Sequence, residues 1–142
     1  MPNRSFPSAF VLLTCLAVGG HFAAATTMIN VLLQDPSTGS AIRSDRIVLD
    51  RRSVPAGKVT FRAINQSKEL VHEMLVVPAK PRQPLPYDQT KAEVVESRIK
   101  VLGDLDDLRP GASGTITVDL KPGFYIVLCN QPGHYKAGMQ TK

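Results

Sequence analysis

The sequence predicts an all-β domain, a β-sandwich or barrel, and three observations carry that reading. Short runs rich in apolar and β-branched residues recur along the chain, cut at close intervals by Pro and Gly. In KVTFRAIN (58–65), Val59, Phe61, Ala63 and Asn65 alternate with polar partners, the period of a half-buried strand. FYIVLC (124–129) is apolar on both faces, which marks a central, buried strand.

The elements follow in order. TMINVLL (27–33) is apolar and partly β-branched, and the polar QDPSTGSAIRSD (34–45) turns the chain. RIVLD (46–50) is a short strand, and Val54-Pro55-Ala56-Gly57 is a turn into 58–65. The polar QSKE leads into LVHEMLVV (70–77). AKPRQPLPYD holds three prolines and reads as an irregular crossing segment. QTKAEVVESRIK (89–100) has good helix formers, with Val95 and Ile99 four apart on one side, and predicts one short helix. DLDDLRPGASG (104–114) reads as a turn region. TITVDL (115–120), a Pro-Gly turn at 122–123, and FYIVLC complete the strands. The chain ends three residues past Met139, which predicts an unpaired sheet edge beside the last strand.

The length of 142 residues fits one domain behind a leader. Arg4 is the only charged residue before Thr26, and the apolar Ser8–Gly20 stretch precedes small residues at Ala23 and Ala25. That pattern reads as a signal peptide over 1–25, which makes 26–142 the exported domain, periplasmic or secreted. Thirteen apolar residues fall short of the roughly 20 that span a bilayer. A lipidated Cys15 fits poorly, because the apolar run continues past it and Thr14 precedes it. Cleavage leaves 117 residues with net charge +4, one cysteine and two histidines. The basic residues are scattered without an accompanying motif, which argues against nucleic-acid binding.

An exported chain with one cysteine has no internal disulfide, so Cys129 needs an account. It opens CNQPGHYKAGM (129–139). Alone, Cys129 reads as a buried structural thiol, and His134 and Met139 are weak signals. Their spacing makes them a set. Gln131-Pro132-Gly133-His134 fits a type II turn, with Pro second and Gly third, which bends His134 back towards Cys129. Gly138 permits close backbone approach before Met139. His72 is the other histidine of the mature chain: a surface or core residue on the bland reading, a fourth ligand if its strand lies beside the last one. Two imidazoles, a thiolate and a weak axial thioether suit copper. Zinc, the competitor, takes Cys and His but has no use for a thioether.

PAGKVTF, NQSKELVHE and LRPGASGTITVDLKPGFYIVLCNQPGH resemble the corresponding stretches of the cupredoxins, the type 1 blue copper proteins, over about Arg46 to Met139. The C-x4-H-x4-M spacing resembles the rusticyanin-type loop of that family. The resemblance implies a Greek-key β-sandwich with one copper ion at one end. It assigns His72 and His134 as nitrogen ligands, Cys129 as thiolate and Met139 as axial ligand. Where family members carry an asparagine after the first histidine this chain has Glu73, and Asn65 and Asn130 are candidates to replace its tie. Substrate oxidation by O₂ or nitrite reduction would need further histidines, and the mature chain has none to spare, so it reads as a non-enzyme. The resemblance implies one-electron transfer, with His134 as the exit inside an apolar patch of Pro132, Gly133, Ala137, Gly138 and Met139. The expected partner is a c-type cytochrome or oxidase domain met transiently, and net +4 favours an acidic one. The alternative is a copper-storage or delivery protein, although Met28, Met74 and Met139 form no methionine cluster in the sequence.

Overall fold

A computed structural model describes residues 26–36 and 44–142; the expected signal peptide lies outside the described residues. Among the described residues, ten strands form two four-stranded sheets and a small hairpin. The first sheet contains β1 (Thr27–Gln34), β2 (Arg46–Leu49), β3 (Gly57–Asn65) and β8 (Ser113–Leu120), in the order β2-β1-β3-β8. The second contains β4 (His72–Ala79), β7 (Gly103–Leu108), β9 (Phe124–Leu128) and β10 (Gln140–Thr141), in the order β10-β9-β4-β7. β1 runs parallel to β3, and the other pairings are antiparallel. The chain crosses between sheets at β3–β4, β7–β8 and β8–β9, giving the expected Greek-key β-sandwich.

Alternation decides which side chains fill the space between the sheets. Ile29, Val31 and Leu33 of β1 and Val59, Phe61 and Ala63 of β3 point inward from the first sheet. Met74 and Val76 of β4 and Val127 of β9 meet them from the second. The other faces of β4 and β9 are also buried. Leu75, Val77, Ile126 and Leu128 form a second cluster with Val94 and Tyr135, and Leu85, Tyr87, Ile99 and Val101 pack on it. The crossing segment between β4 and β7 therefore covers the outside of the sheet. This is why both strands read as continuous apolar runs.

That segment is not helical, which corrects the expectation for 89–100. Asp88 accepts hydrogen bonds from the Thr90 and Lys91 amides, and Ala92 takes φ 59°. The chain turns back as a hairpin of β5 (Tyr87–Asp88) and β6 (Glu93–Val94). Asn130 accepts from the Val94 amide at 2.6 Å and donates to its carbonyl at 3.0 Å, groups a helix would need for itself. Only a 3-10 turn at Glu96–Arg98 remains. Two further expectations change. The acidic start of 104–114 is strand β7, paired with β4 through a bulge near Glu73. Leu108 is buried within it, and Leu105 packs on the inner core. The edge of β9 is not bare either: Gln140 and Thr141 pair with Leu128 and Val127.

Asn65 is the polar joint of this end of the sandwich. Its fully buried side chain donates to the Leu70 and Leu108 carbonyls at 2.8 and 2.7 Å and accepts from the Ser67 amide at 2.8 Å. It thereby ties β3 to the approach of β4 and to the end of β7. Asn65→Ala leaves those backbone groups without this partner, at a cost of roughly 2–4 kcal/mol. Chemical denaturation of the two proteins checks this; a difference below about 0.5 kcal/mol, as for an ordinary surface change, contradicts it.

Candidate metal centre

His72 opens β4, and Cys129 follows the last residue of β9. Both side chains lie on the inner face of the second sheet and are fully buried. His134 arrives from the loop after Cys129 and is partly exposed. His72 Nδ1 stands 3.2 Å from His134 Nδ1 and 3.9 Å from Cys129 Sγ, and Cys129 Sγ stands 3.4 Å from His134 Nδ1. A circle through these three atoms has a radius of about 2 Å, the length of a metal–imidazole bond and slightly short of a metal–thiolate bond. Two borderline nitrogens and one soft sulfur, converging within 4.8 Å of one another, fit a transition-metal ion. Sequence reasoning expected this trio, and the fold brings it together.

The loop geometry explains how five residues return the imidazole to the thiol. The His134 amide donates to the Gln131 carbonyl at 2.9 Å, and Gly133 takes φ 85°. This is the turn that Pro-Gly predicts. The Gly133 amide also donates to the Ala92 carbonyl at 2.7 Å, pinning the turn to the β5–β6 hairpin. Gly138, at φ 106°, reverses the chain. The Met139 amide then donates to the His134 carbonyl, and the Cys129 amide donates to the Met139 carbonyl, each at 3.0 Å. The loop is thus closed on itself. Met139 is fully buried in the inner core cluster that also holds Cys129. It is therefore no part of the expected surface patch; Pro132, Ala137 and Gly138 are exposed there.

Burial sets the protonation of Cys129 and His72. It pushes the Cys129 thiol up to about 12, against the Glu73 amide, which donates to Sγ at 3.4 Å. Burial also lowers the His72 pKa, opposed by its hydrogen bond to Asp35. Glu73 is pushed up to about 7 by burial and by Glu96, Asp106 and Glu93. With Asp104 and Asp107 near Asp106, the β7 side of the site is acidic, opposite in sign to the net charge.

Two contributors escaped sequence reasoning. Glu73 acts through its backbone N–H, which no side-chain pattern reveals. Asp35 is fully buried, with Oδ2 3.1 Å from His72 Nε2; in the sequence it sits in a polar, Pro-containing stretch and reads as a turn residue. Asn65 and Asn130, the candidates to replace the missing asparagine, both make buried ties to backbone: Asn65 to the approach of β4, Asn130 to Val94.

Comparison with solved structures agrees with this architecture. Dithionite-reduced auracyanin from the photosynthetic bacterium Roseiflexus castenholzii is similar over 82% of this chain and 94% of its own, with 25% identity and a TM-score of 0.54. The chain has the cupredoxin fold. Reduced rusticyanin matches 81% of this chain and 75% of its own, at 22% identity and a TM-score of 0.58. Auracyanin A of Chloroflexus aurantiacus, described as a "blue" copper protein, matches 82% of it and 97% of its own chain, at 17% identity and a TM-score of 0.50. No protein-family model matches the sequence, and no curated protein does.

The thiol provides a test of the buried site. With its pKa near 12, Cys129 of the folded, metal-free protein carries almost no thiolate at pH 8. Alkylation should run at least about a hundredfold slower than in the unfolded chain, and should speed up as pH rises towards 12. Equal rates in the two states contradict the assignment.

Proposed function

We propose that this cupredoxin holds one type 1 copper ion between His72, Cys129, His134 and Met139 and carries single electrons between redox proteins. The observation that carries the reading is the triangle of two Nδ1 atoms and one Sγ with a radius of about 2 Å, matched to metal–ligand bond lengths. When bound, copper supplies the one-electron couple. The chain supplies the rest. Burial of His72, Cys129 and Met139 excludes water. The backbone bonds that close the 129–139 loop hold His134 and Met139 in one arrangement, which suits both oxidation states of an ion that must change charge without changing partners.

His134 differs from the other three residues in being partly exposed, which supports it as the route for the electron. Pro132, Ala137 and Gly138 are exposed on the same loop and offer a small docking surface for a transient partner such as a c-type cytochrome or an oxidase domain. The acidic residues on the β7 side favour a basic rim on that partner, rather than the acidic one that net +4 suggests. Among the described residues no helix is long and apolar enough to cross a membrane. The apolar segment 8–20 and the Ala23-x-Ala25 pattern support export to the periplasm or beyond. Storage or delivery is less favoured, because three of the four proposed ligands are fully buried and poorly placed for handover.

Cu(II) loaded into the wild-type protein should give an intense blue colour from charge transfer at the cysteine sulfur, and Cys129→Ser should lose it while staying folded. A colourless wild type or a blue mutant contradicts the type 1 assignment. Met139→Leu removes a weak donor that favours Cu(II), so copper should remain bound and the reduction potential should rise. Met139→Gln offers a harder oxygen donor, so the potential should fall. Voltammetry with copper content measured checks both; a lower potential for leucine, or no shift in either, makes Met139 packing only.

A further inference from the structure

The Asp35–His72 contact joins two fully buried side chains, one just past the end of β1 and one at the start of β4. Among the described residues, no buried side-chain nitrogen or oxygen lacks a partner, so the pair sits in a satisfied network. The contact uses Nε2 of the imidazole. The other nitrogen, Nδ1, is the one that faces Cys129 and His134. A neutral imidazole carries one N–H and one lone pair, and a carboxylate only accepts. Asp35 therefore selects the tautomer with hydrogen on Nε2, leaving the Nδ1 lone pair free towards the metal centre.

We propose that Asp35 is a positioning residue for the copper site: it fixes His72 as the Nε2–H tautomer, holds its ring, and lowers the reduction potential. This rests on the copper reading above. The two effects have separate physical causes. Orientation follows from the directional hydrogen bond between the residue just after β1 and the first residue of β4. The potential follows from charge: a carboxylate on the far nitrogen makes the ligating nitrogen more basic. It also places a negative charge on a buried path to the ion, where screening by water is weak. Both favour the more electron-poor Cu(II).

The test separates hydrogen bond from charge. Asp35→Asn keeps an oxygen that accepts from Nε2–H and removes the carboxylate charge; Asp35→Ala removes both. In wild-type metal-free protein, nitrogen–proton NMR correlation of the His72 ring should show the Nε2–H tautomer alone. Asp35→Asn should retain that tautomer, and its copper form should stay blue with a higher potential. The expected shift is at least tenfold in the Cu(I)-to-Cu(II) affinity ratio, or about 59 mV for one electron. Asp35→Ala should show mixed tautomers and weaker copper binding. A wild-type His72 protonated on Nδ1 overturns the proposal without needing any variant. So does an unchanged potential in a blue, fully loaded Asp35→Asn protein. A wild type that takes no copper or stays colourless would instead defeat the function reading, and the tautomer of the metal-free protein would still judge the positioning role of Asp35.

Discussion

The antiparallel ladder between β4 and β9 ends at the Leu75–Leu128 pair, and the site hangs from that end. One residue beyond Leu128 is Cys129, and three residues before Leu75 is His72. Because side chains alternate along a strand, both project to the inner face with Val127, Met74 and Val76. A slip of one residue would turn Cys129 or His72 away from the other. The apolar residues on both faces of these strands resist that slip, since each register error would expose several buried side chains to water. The chemistry of the site is therefore secured by ordinary hydrophobic packing along the two strands that carry it.

The remaining parts of the site are held by hydrogen bonds to backbone. Asn65 ties β3 to the β4 approach and to β7, Asn130 ties the end of β9 to the β5–β6 hairpin, and the Gly133 amide ties the loop turn to Ala92. Such bonds act in a water-poor interior, where breaking one costs more than making it gains. Burial keeps Cys129 and His72 uncharged, with the Cys129 thiol near 12 and the His72 pKa lowered. A metal ion that takes the thiolate must displace that proton, so metal affinity is coupled to pH.

The strands that were legible in the sequence are those with a clear two-residue period or a run apolar on both faces, and the turn at 131–134 was legible because Pro-Gly chemistry allows few alternatives. The Cys129–His134 pairing was legible through that turn, and His72 through elimination and resemblance. Segment 89–100 was misread because its helix formers carried the local signal, while the deciding contact comes from Asn130, far along the chain. Strand β7 was masked by its acidic residues, which face outward on an edge strand while Leu108 is buried. Asp35 was invisible because a carboxylate in a turn-rich segment has no signature of burial until β4 is placed beside it. Met139 looked like surface because its glycine-rich neighbours do, and only its bonds to Cys129 and His134 draw it inside.

The fold holds the donor atoms in place before any metal arrives. Crystal structures of the protein with and without bound Cu(II) test it most directly. The account predicts copper held by His72 Nδ1, Cys129 Sγ and His134 Nδ1, with all three side chains in the same rotamers in both crystals. Donor side chains that swing apart in the metal-free crystal, or copper bound at other residues, would contradict it.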